Sequence, residues 1–251
     1  MAGKKERQRK LARERLARQE ARRAVRARRW RLGLLIAVVC CVVAGASTGG
    51  YFLLAGNGSS AATASVTHCT YTASGKAARP VGKPPATFTK AGYRATITTN
   101  RGPVVVDLLG TRAPCTVNSF VNLAGKHYFS NTNCHRLTTS GIYVLQCGDP
   151  TGTGSGGPGY KFASENLKGA RYTHGTLAMA NAGPGTNGSQ FFIVYRDSLS
   201  LPANYSPFGK VVSGLGIIQN VAKAGTDNAN GKGDGHPKDK VVIESVTIKK
   251  A

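Results

Sequence analysis

Residues 32–54 (LGLLIAVVCCVVAGASTGGYFLL) contain no charged side chain, and this run constrains the chain more than any other feature. A helix of this length, at about 1.5 Å of rise per residue, can cross a hydrocarbon core of about 30 Å. The preceding residues 1–31 carry 14 Lys or Arg and three Glu. Because such a basic flank stays in the cytoplasm, we predict a single transmembrane helix over 32–54, with the rest of the chain extracytoplasmic.

Two further features of the N-terminal region leave alternatives open. The small residues Ala44–Ala46 resemble a signal-peptide cleavage site, so the segment could be removed rather than kept as an anchor. We expect the basic residues 1–31 to contact anionic membrane lipids, at about 1 kcal/mol per cation near the surface. Nucleic-acid binding is less favoured, because Trp30 is the only aromatic residue there that could stack on a base.

The remaining chain divides into a spacer and a globular domain. Residues 55–87 are rich in Gly, Ser, Ala, Thr and Pro, a composition typical of a linker. Residues 88–251 contain many short β-branched and aromatic runs, such as YRATITT and SQFFIVY, that favour strands. Only APCTVNSFVNLAG and GLGIIQNVAKAG show helical spacing. We therefore predict an all-β domain with two helices.

The cysteines indicate disulfides rather than a metal site. Four of them lie in the region expected outside the membrane, and no C-x-x-C spacing occurs; they are Cys69, Cys115, Cys134 and Cys147. An even number in an exported domain favours two bridges. Three pairings are possible and the sequence does not choose among them. Our working prediction is Cys115–Cys134 with Cys69–Cys147.

The loop ANAGPGTNGSQF, residues 180–191, contains the pattern G-x-G-x-x-G of dinucleotide-binding loops. Such a loop needs a helix after it, whose N-terminal N–H groups hold the phosphate. The following SQFFIVY favours a strand instead, so we reject a nucleotide site. The sequence GKGDG, residues 231–235, lacks the spaced carboxylates of a calcium loop.

Several motifs together resemble the cyclophilins, a family of peptidyl-prolyl cis–trans isomerases. The resemblance rests on MANAGPGTNGSQFFI, with ITTNRG, APCTVNSFVNLA, CHRL, QCGD and FGKVVSGL in order along about 160 residues. A basic segment followed by an anchor is similar to the exported, membrane-anchored members of some bacteria. The resemblance implies a closed eight-stranded antiparallel barrel with two helices, and a catalytic site without a cofactor or metal.

The resemblance also implies roles for individual residues. Arg136 in CHRL is expected to be the catalytic arginine. The positions expected to bind substrate are Tyr143, Val144, Gln146, Ala180, Asn181, Ala182, Gln190, Phe192, Leu201 and Tyr205. Two extra residues between Arg136 and Gln146 make Ile142 with Tyr143 an alternative to Tyr143 with Val144. Ser200 stands where many members carry a cyclosporin-binding tryptophan, which predicts weak sensitivity to that drug.

These observations predict a monomeric isomerase that binds proline-containing polypeptides and assists the folding of exported proteins. The reaction makes and breaks no bond, so it requires neither a nucleophile nor a metal. The alternative is a non-catalytic chaperone or a module that binds proline-containing segments.

Overall fold

The computed structural model of the chain describes residues 65–251. The predicted basic segment 1–31 and the predicted transmembrane helix 32–54 lie outside the described residues. Within 65–251 no helix combines the length and the apolar character that a membrane span requires.

The described residues form a β-rich domain with two helices. The helices are α1 (Pro114–Gly125) and α2 (Leu215–Ala224), at the two positions predicted from helical spacing. The strands are β1 (Val66–His68), β2 (Thr72–Ala73), β3 (Thr87–Thr89), β4 (Tyr93–Thr99), β5 (Gly102–Leu108), β6 (Thr132–Asn133), β7 (Arg136–Thr138), β8 (Val144–Cys147), β9 (Tyr160–Lys161), β10 (Thr176–Met179), β11 (Phe191–Val194), β12 (Pro207–Ser213), β13 (Asp234–Gly235) and β14 (Val242–Lys250).

Ten of these strands build one antiparallel sheet in the order β13-β7-β8-β11-β10-β12-β5-β4-β14-β6. The sheet therefore has ten strands and two ends, rather than the eight strands and continuous closure that we predicted. The two-residue strands β6 and β13 account for the extra members, and they form the two ends. Only Cys134 and His135 separate β6 from β7, so the chain passes directly from one end of the curled sheet to the strand beside the other end.

The burial pattern of the strands explains where the site can form. In β4 and β5 every second residue is buried, as expected for strands with one face on the core. In β10 and β11 all residues are buried, because the outer face carries a second apolar cluster around Val144, Ala178 and Phe192. The uninterrupted apolar run FFIV is the sequence signal for burial on both faces.

The start of α1 is stabilised from a distant part of the chain. Ala113, at the helix start, has no side chain that could cap the free N–H groups. The Glu165 carboxylate accepts hydrogen bonds from the backbone N–H groups of Cys115 and Thr116 at 3.1 and 2.8 Å. A negative charge at this end also complements the helix dipole.

Residues 69–81, here called the strap, lie against the domain. Tyr71 is buried, and its hydroxyl donates to the carbonyl oxygen of Cys115 at 2.7 Å. Strand β2 pairs with β9, and Arg79 donates to the carbonyl oxygens of Tyr128 and Ser130. The predicted spacer 55–87 thus includes a described part that makes specific contacts with the domain.

The disulfide pairing differs from our prediction. The bridges are Cys69–Cys115 and Cys134–Cys147. The first joins the strap to the start of α1. The second is set by the β7–β8 pairing, which brings Cys134 and Cys147 to a Cα separation of 4.0 Å, so neither cysteine is available for the predicted partners.

Candidate active site

Two adjacent strands present Arg136 and Gln146 side by side. These residues are direct partners in the β7–β8 ladder, and the Arg136 Nη1 group lies 3.4 Å from Gln146 Oε1. The other side of the guanidinium contacts Asp234 on β13 through two hydrogen bonds, Nε to Oδ1 at 2.8 Å and Nη2 to Oδ2 at 2.6 Å. This paired geometry fixes both the position and the plane of the guanidinium.

The ion pair keeps both groups charged. Hydrogen bonding to Asp234 raises the pKa of Arg136 further, and the same bonds lower the pKa of the Asp234 carboxyl. An arginine side chain has five N–H donors, of which these contacts use three. Two N–H groups therefore remain for a ligand.

A small cavity of about 150 Å³ opens beside Arg136. Its lining combines the buried apolar side chains of Val144 and Phe192 with polar groups such as Gln146, a combination that suits a compact apolar group with a polar attachment. Its lining residues are Arg136, Ile142, Val144, Gln146, Ala180, Asn181, Phe192, Leu201 and Tyr205. Eight of these nine positions are among the predicted site residues.

Tyr143 is the predicted residue that the structure places elsewhere. Side chains alternate along an extended segment, so Ile142 and Val144 face the small cavity together and Tyr143 faces away. The Tyr143 ring packs against Tyr195, and the Arg196 guanidinium lies 3.2 Å from its centroid. Ile142, which we considered only as an alternative, therefore lines the small cavity together with Val144, in place of Tyr143.

A second, larger cavity of about 600 Å³ lies next to the first. Gln146, Ala180 and Asn181 line both cavities, whereas the predicted residues Ala182 and Gln190 line only the large one. The Gln190 amide donates to the carbonyl oxygens of Gly154 and Gly156, and its oxygen accepts from Gln146 at 2.9 Å. Gln190 thus ties the glycine-rich segment 152–157 to the floor of the site.

The backbone of Asn181 is free to bind an extended ligand. Its side chain is engaged by the Asn204 carbonyl oxygen and by the Gly183 N–H. Its own backbone N–H and C=O make no hydrogen bond to any residue within 65–251. An extended peptide laid along this edge can therefore form backbone hydrogen bonds here.

The glycine loop 183–188 forms the turn next to the free backbone of Asn181, and it lacks the following helix that a phosphate site needs. It connects β10 to β11, which pair with each other in antiparallel register, Leu177 opposite Ile193. A strand follows the loop, as predicted. Gly183 and Gly185 adopt φ values of 128° and 72°, a region that favours glycine, and the Thr186 hydroxyl bridges the Ala182 N–H and the Gly183 carbonyl.

Sequence reasoning missed two residues that support the site. Asp234 lies within GKGDG, which we considered only as a calcium loop, and it is 98 positions from Arg136. Tyr172 is fully buried, its hydroxyl donates to the Tyr205 carbonyl oxygen at 2.8 Å, and it accepts from the Tyr205 N–H at 2.9 Å. Neither residue belongs to a recognisable motif, so only the fold reveals them.

The family model described as cyclophilin type peptidyl-prolyl cis–trans isomerase/CLD matches residues 94–248. The chain belongs to the cyclophilin family. Among curated cyclophilins, it is 48% identical over 200 residues to a probable peptidyl-prolyl cis–trans isomerase B of Mycobacterium leprae, covering 72% of this chain and 66% of that protein. A probable isomerase B of Mycobacterium tuberculosis is 46% identical over 201 residues, covering 72% and 64%. The chain thus spans just under two thirds of the length of these relatives.

Solved cyclophilin structures agree with the fold. A crystal structure of a Cryptosporidium parvum cyclophilin type isomerase matches with a TM-score of 0.57 and 32% identity, covering 64% of this chain and 99% of that one. A second structure of that protein, in the presence of the dipeptide Ala-Pro, matches with a TM-score of 0.56 and 32% identity, covering 63% and 99%.

The Arg136–Asp234 contact generates a first prediction. Replacing Asp234 by Asn removes the charge and one acceptor, so the guanidinium loses its fixed orientation. We expect kcat/KM for isomerisation of an X-Pro peptide to fall about tenfold, since small displacements of a catalytic group are costly. The measurement is a protease-free isomerisation assay on the full chain, with circular dichroism as a check on folding.

Asp107→Asn is the matched control for this substitution. Asp107 forms the same two-bond contact with Arg94, at 2.6 and 3.1 Å, on exposed parts of β4 and β5. It should leave kcat/KM unchanged. Equal activity of the Asp234 and Asp107 variants would refute a positioning role for Asp234.

His135, beside Arg136, is buried. Neither ring nitrogen has a hydrogen-bond partner of normal geometry among the described residues. Burial lowers the pKa of His135, while the Asp149 carboxylate and the nearby Gln190 amide act weakly in the opposite direction. The folded pKa therefore lies below the value of about 6.5 for a free histidine.

This shift predicts acid sensitivity of folding. As the pH falls below about 6.5, the unfolded state binds a proton that folded His135 does not, so the unfolding free energy decreases by up to about 1.4 kcal/mol per pH unit until the folded pKa is reached. His135→Gln should remove this component, measured by urea unfolding of the full chain at pH 7.5 and 5.5. Circular dichroism is the suitable probe, because the only tryptophan, Trp30, lies outside the domain.

The control is His68→Gln, since His68 is exposed. It should retain the acid dependence of the wild type. An identical loss of stability at pH 5.5 in wild type and His135→Gln would contradict the assignment.

Proposed function

We propose that this cyclophilin catalyses cis–trans isomerisation of X-Pro bonds in polypeptides. The observation that carries the proposal is the position of Arg136, which has two unused N–H donors beside the small cavity and next to a free backbone edge. Arg136 supplies a charged donor, the small cavity can accept the proline ring, and the free backbone edge can hold the flanking peptide. The family and the similarity to isomerases of Mycobacterium support the same reaction.

The chemistry requires stabilisation of a twisted amide. The barrier to rotation is about 18–20 kcal/mol because resonance gives the C–N bond partial double-bond character. In the twisted state this resonance is lost and the prolyl nitrogen becomes pyramidal and more basic. A donor that hydrogen-bonds to that nitrogen binds the transition state better than the planar ground state, and this difference is what accelerates the reaction.

Each part of the site has a distinct task in this mechanism. Phe192, Val144 and Leu201 enclose the proline ring in the small cavity, and the Asn181 backbone holds the adjoining peptide. With the proline ring held in the cavity, the acyl group on the other side of the C–N bond rotates, and the pyramidal nitrogen accepts a hydrogen bond from Arg136. Gln146 and Asp234 keep the guanidinium in place throughout, so no protein rearrangement opposes the reaction.

Arg136→Ala tests the proposal directly. Loss of one preorganised donor to the transition state typically costs about 10²–10³-fold, and we expect a fall in kcat/KM of that size. The protease-free assay uses the full chain and a peptide with a single X-Pro bond. Arg94→Ala, at the matched exposed ion pair, should keep full activity.

Two results would contradict the proposed enzymatic mechanism. Absence of acceleration by the wild type, with proline-peptide binding intact, would leave the non-catalytic binding module. Equal rates for wild type and Arg136→Ala would remove Arg136 from the catalytic role.

We further propose that the domain acts outside the cytoplasm, on exported proteins, and that residues 32–54 anchor it in the membrane. The uncharged run, its basic flank and the two disulfides support this placement, because disulfides persist in oxidising compartments. The anionic lipids of the cytoplasmic leaflet would contact residues 1–31.

Labelling of single cysteines tests the orientation. In intact bacterial cells, a membrane-impermeant maleimide should label Val212→Cys, because Val212 is exposed, and should not label Gln8→Cys until the cells are lysed. Labelling of Val212→Cys only after lysis would contradict an extracytoplasmic domain. The mass of the mature chain distinguishes a retained anchor from a cleaved leader.

A further inference from the structure

One wall of the large cavity comes from the strap. Ser74, Gly75 and Lys76 line this cavity together with Gln146 and Ala180, which also line the small cavity. The family match begins at residue 94, so these strap residues precede the region that the family model matches. The groove beside the catalytic arginine is thus completed by a segment that the family model does not include.

The strap wall is held in a defined place. Backbone hydrogen bonds join Ser74 N–H to the Gly159 carbonyl at 3.0 Å and Ala78 N–H to the Gly157 carbonyl at 2.9 Å. A Cβ atom on Gly159 would lie 3.0 Å from the Ala77 Cβ, and Gly159 has a φ of 79°, so glycine at position 159 favours this close approach of the strap. The Cys69–Cys115 bridge and Arg79 secure the two sides of this stretch.

All charged side chains that line the large cavity are positive. Its lining contains Lys76 and Lys161, both exposed, and no Asp or Glu. Neither lysine forms an ion pair within the described residues. The nearby Asp149 carboxylate lies beneath the glycine-rich segment, where Thr151 and the Gly156 N–H occupy it.

We propose that the strap, through Lys76, makes this groove select polypeptide segments with an Asp or Glu a few residues from the isomerised proline. The proposal rests on the isomerase function above and names its preferred substrate class. Because the two cavities share Gln146, Ala180 and Asn181, one extended peptide fills both. A carboxylate in the large cavity then meets uncompensated positive charge.

The size of the preference follows from solvent exposure. Ion pairs at exposed positions change binding only modestly, so we expect about a two- to fivefold gain in kcat/KM for Glu over the isosteric Gln. The gain should disappear at about 1 M salt, where charges are screened within about 3 Å.

A peptide panel tests the proposal with the full chain. Each peptide has one X-Pro bond in a neutral host and carries Glu or Gln at one of the three positions before or after that bond. The wild type should favour Glu at one position or at two adjacent ones. Lys76→Ala should abolish the preference for Glu over Gln, whereas Lys76→Glu should favour a Lys peptide at the same position.

Two controls separate the strap from other sources of charge. Lys83→Ala removes an exposed lysine of the same N-terminal segment that does not line the cavity, and it should keep the preference. Cys69→Ser frees one end of the strap and should weaken the preference while Gln peptides are still isomerised.

The outcomes distinguish the two proposals. If no peptide is isomerised, the proposed function fails. If Gln peptides are isomerised but Glu gives no advantage, or the advantage survives Lys76→Glu, the strap proposal is overturned and the isomerase stands. Loss of the preference only in Lys161→Ala would assign the selectivity to β9 and also overturn the strap proposal.

Discussion

The register between β7 and β8 is the constraint on which the site depends. It places Arg136 directly opposite Gln146, and it brings the flanking cysteines close enough to form the Cys134–Cys147 bridge. A shift of one residue would turn Arg136 to the other face of the sheet, where Leu137 and Leu145 now pack in the core. The buried leucines and the bridge therefore determine which way the arginine points.

The strands and helices could be predicted because their patterns are local. YRATITT alternates between faces, FFIV is buried on both, and α1 ends at Gly125. The family motifs then placed Gln146, Asn181 and Phe192 around one cavity, since each motif lies on a strand or loop whose neighbours the fold brings together. Local sequence patterns and the order of the motifs were therefore sufficient to predict these elements and these site residues.

The remainder depended on contacts between distant residues. The cysteine pairing depends on the path of the strap. Residues 65–87 gave no periodic signal, because isolated contacts such as the burial of Tyr71 hold them against the domain. Asp234 reaches Arg136 across 98 positions through the end strand β13. The choice between Tyr143 and Ile142 depended on how the two extra residues before Gln146 are accommodated, which spacing alone leaves open.

The pairing of Arg136 with Asp234 has a consequence for how substrates arrive. A guanidinium beside a carboxylate acts at a distance as a dipole, whose field decays faster than that of a single charge. In the proposed mechanism Arg136 therefore influences a peptide only after contact, and its effect on the X-Pro bond should depend little on ionic strength. Attraction of a peptide over a Debye length of about 8–10 Å must instead come from Lys and Arg side chains that have no acidic partner. The domain has more basic than acidic residues. If the proposed mechanism holds, capture and catalysis depend on different charges and should respond separately to salt.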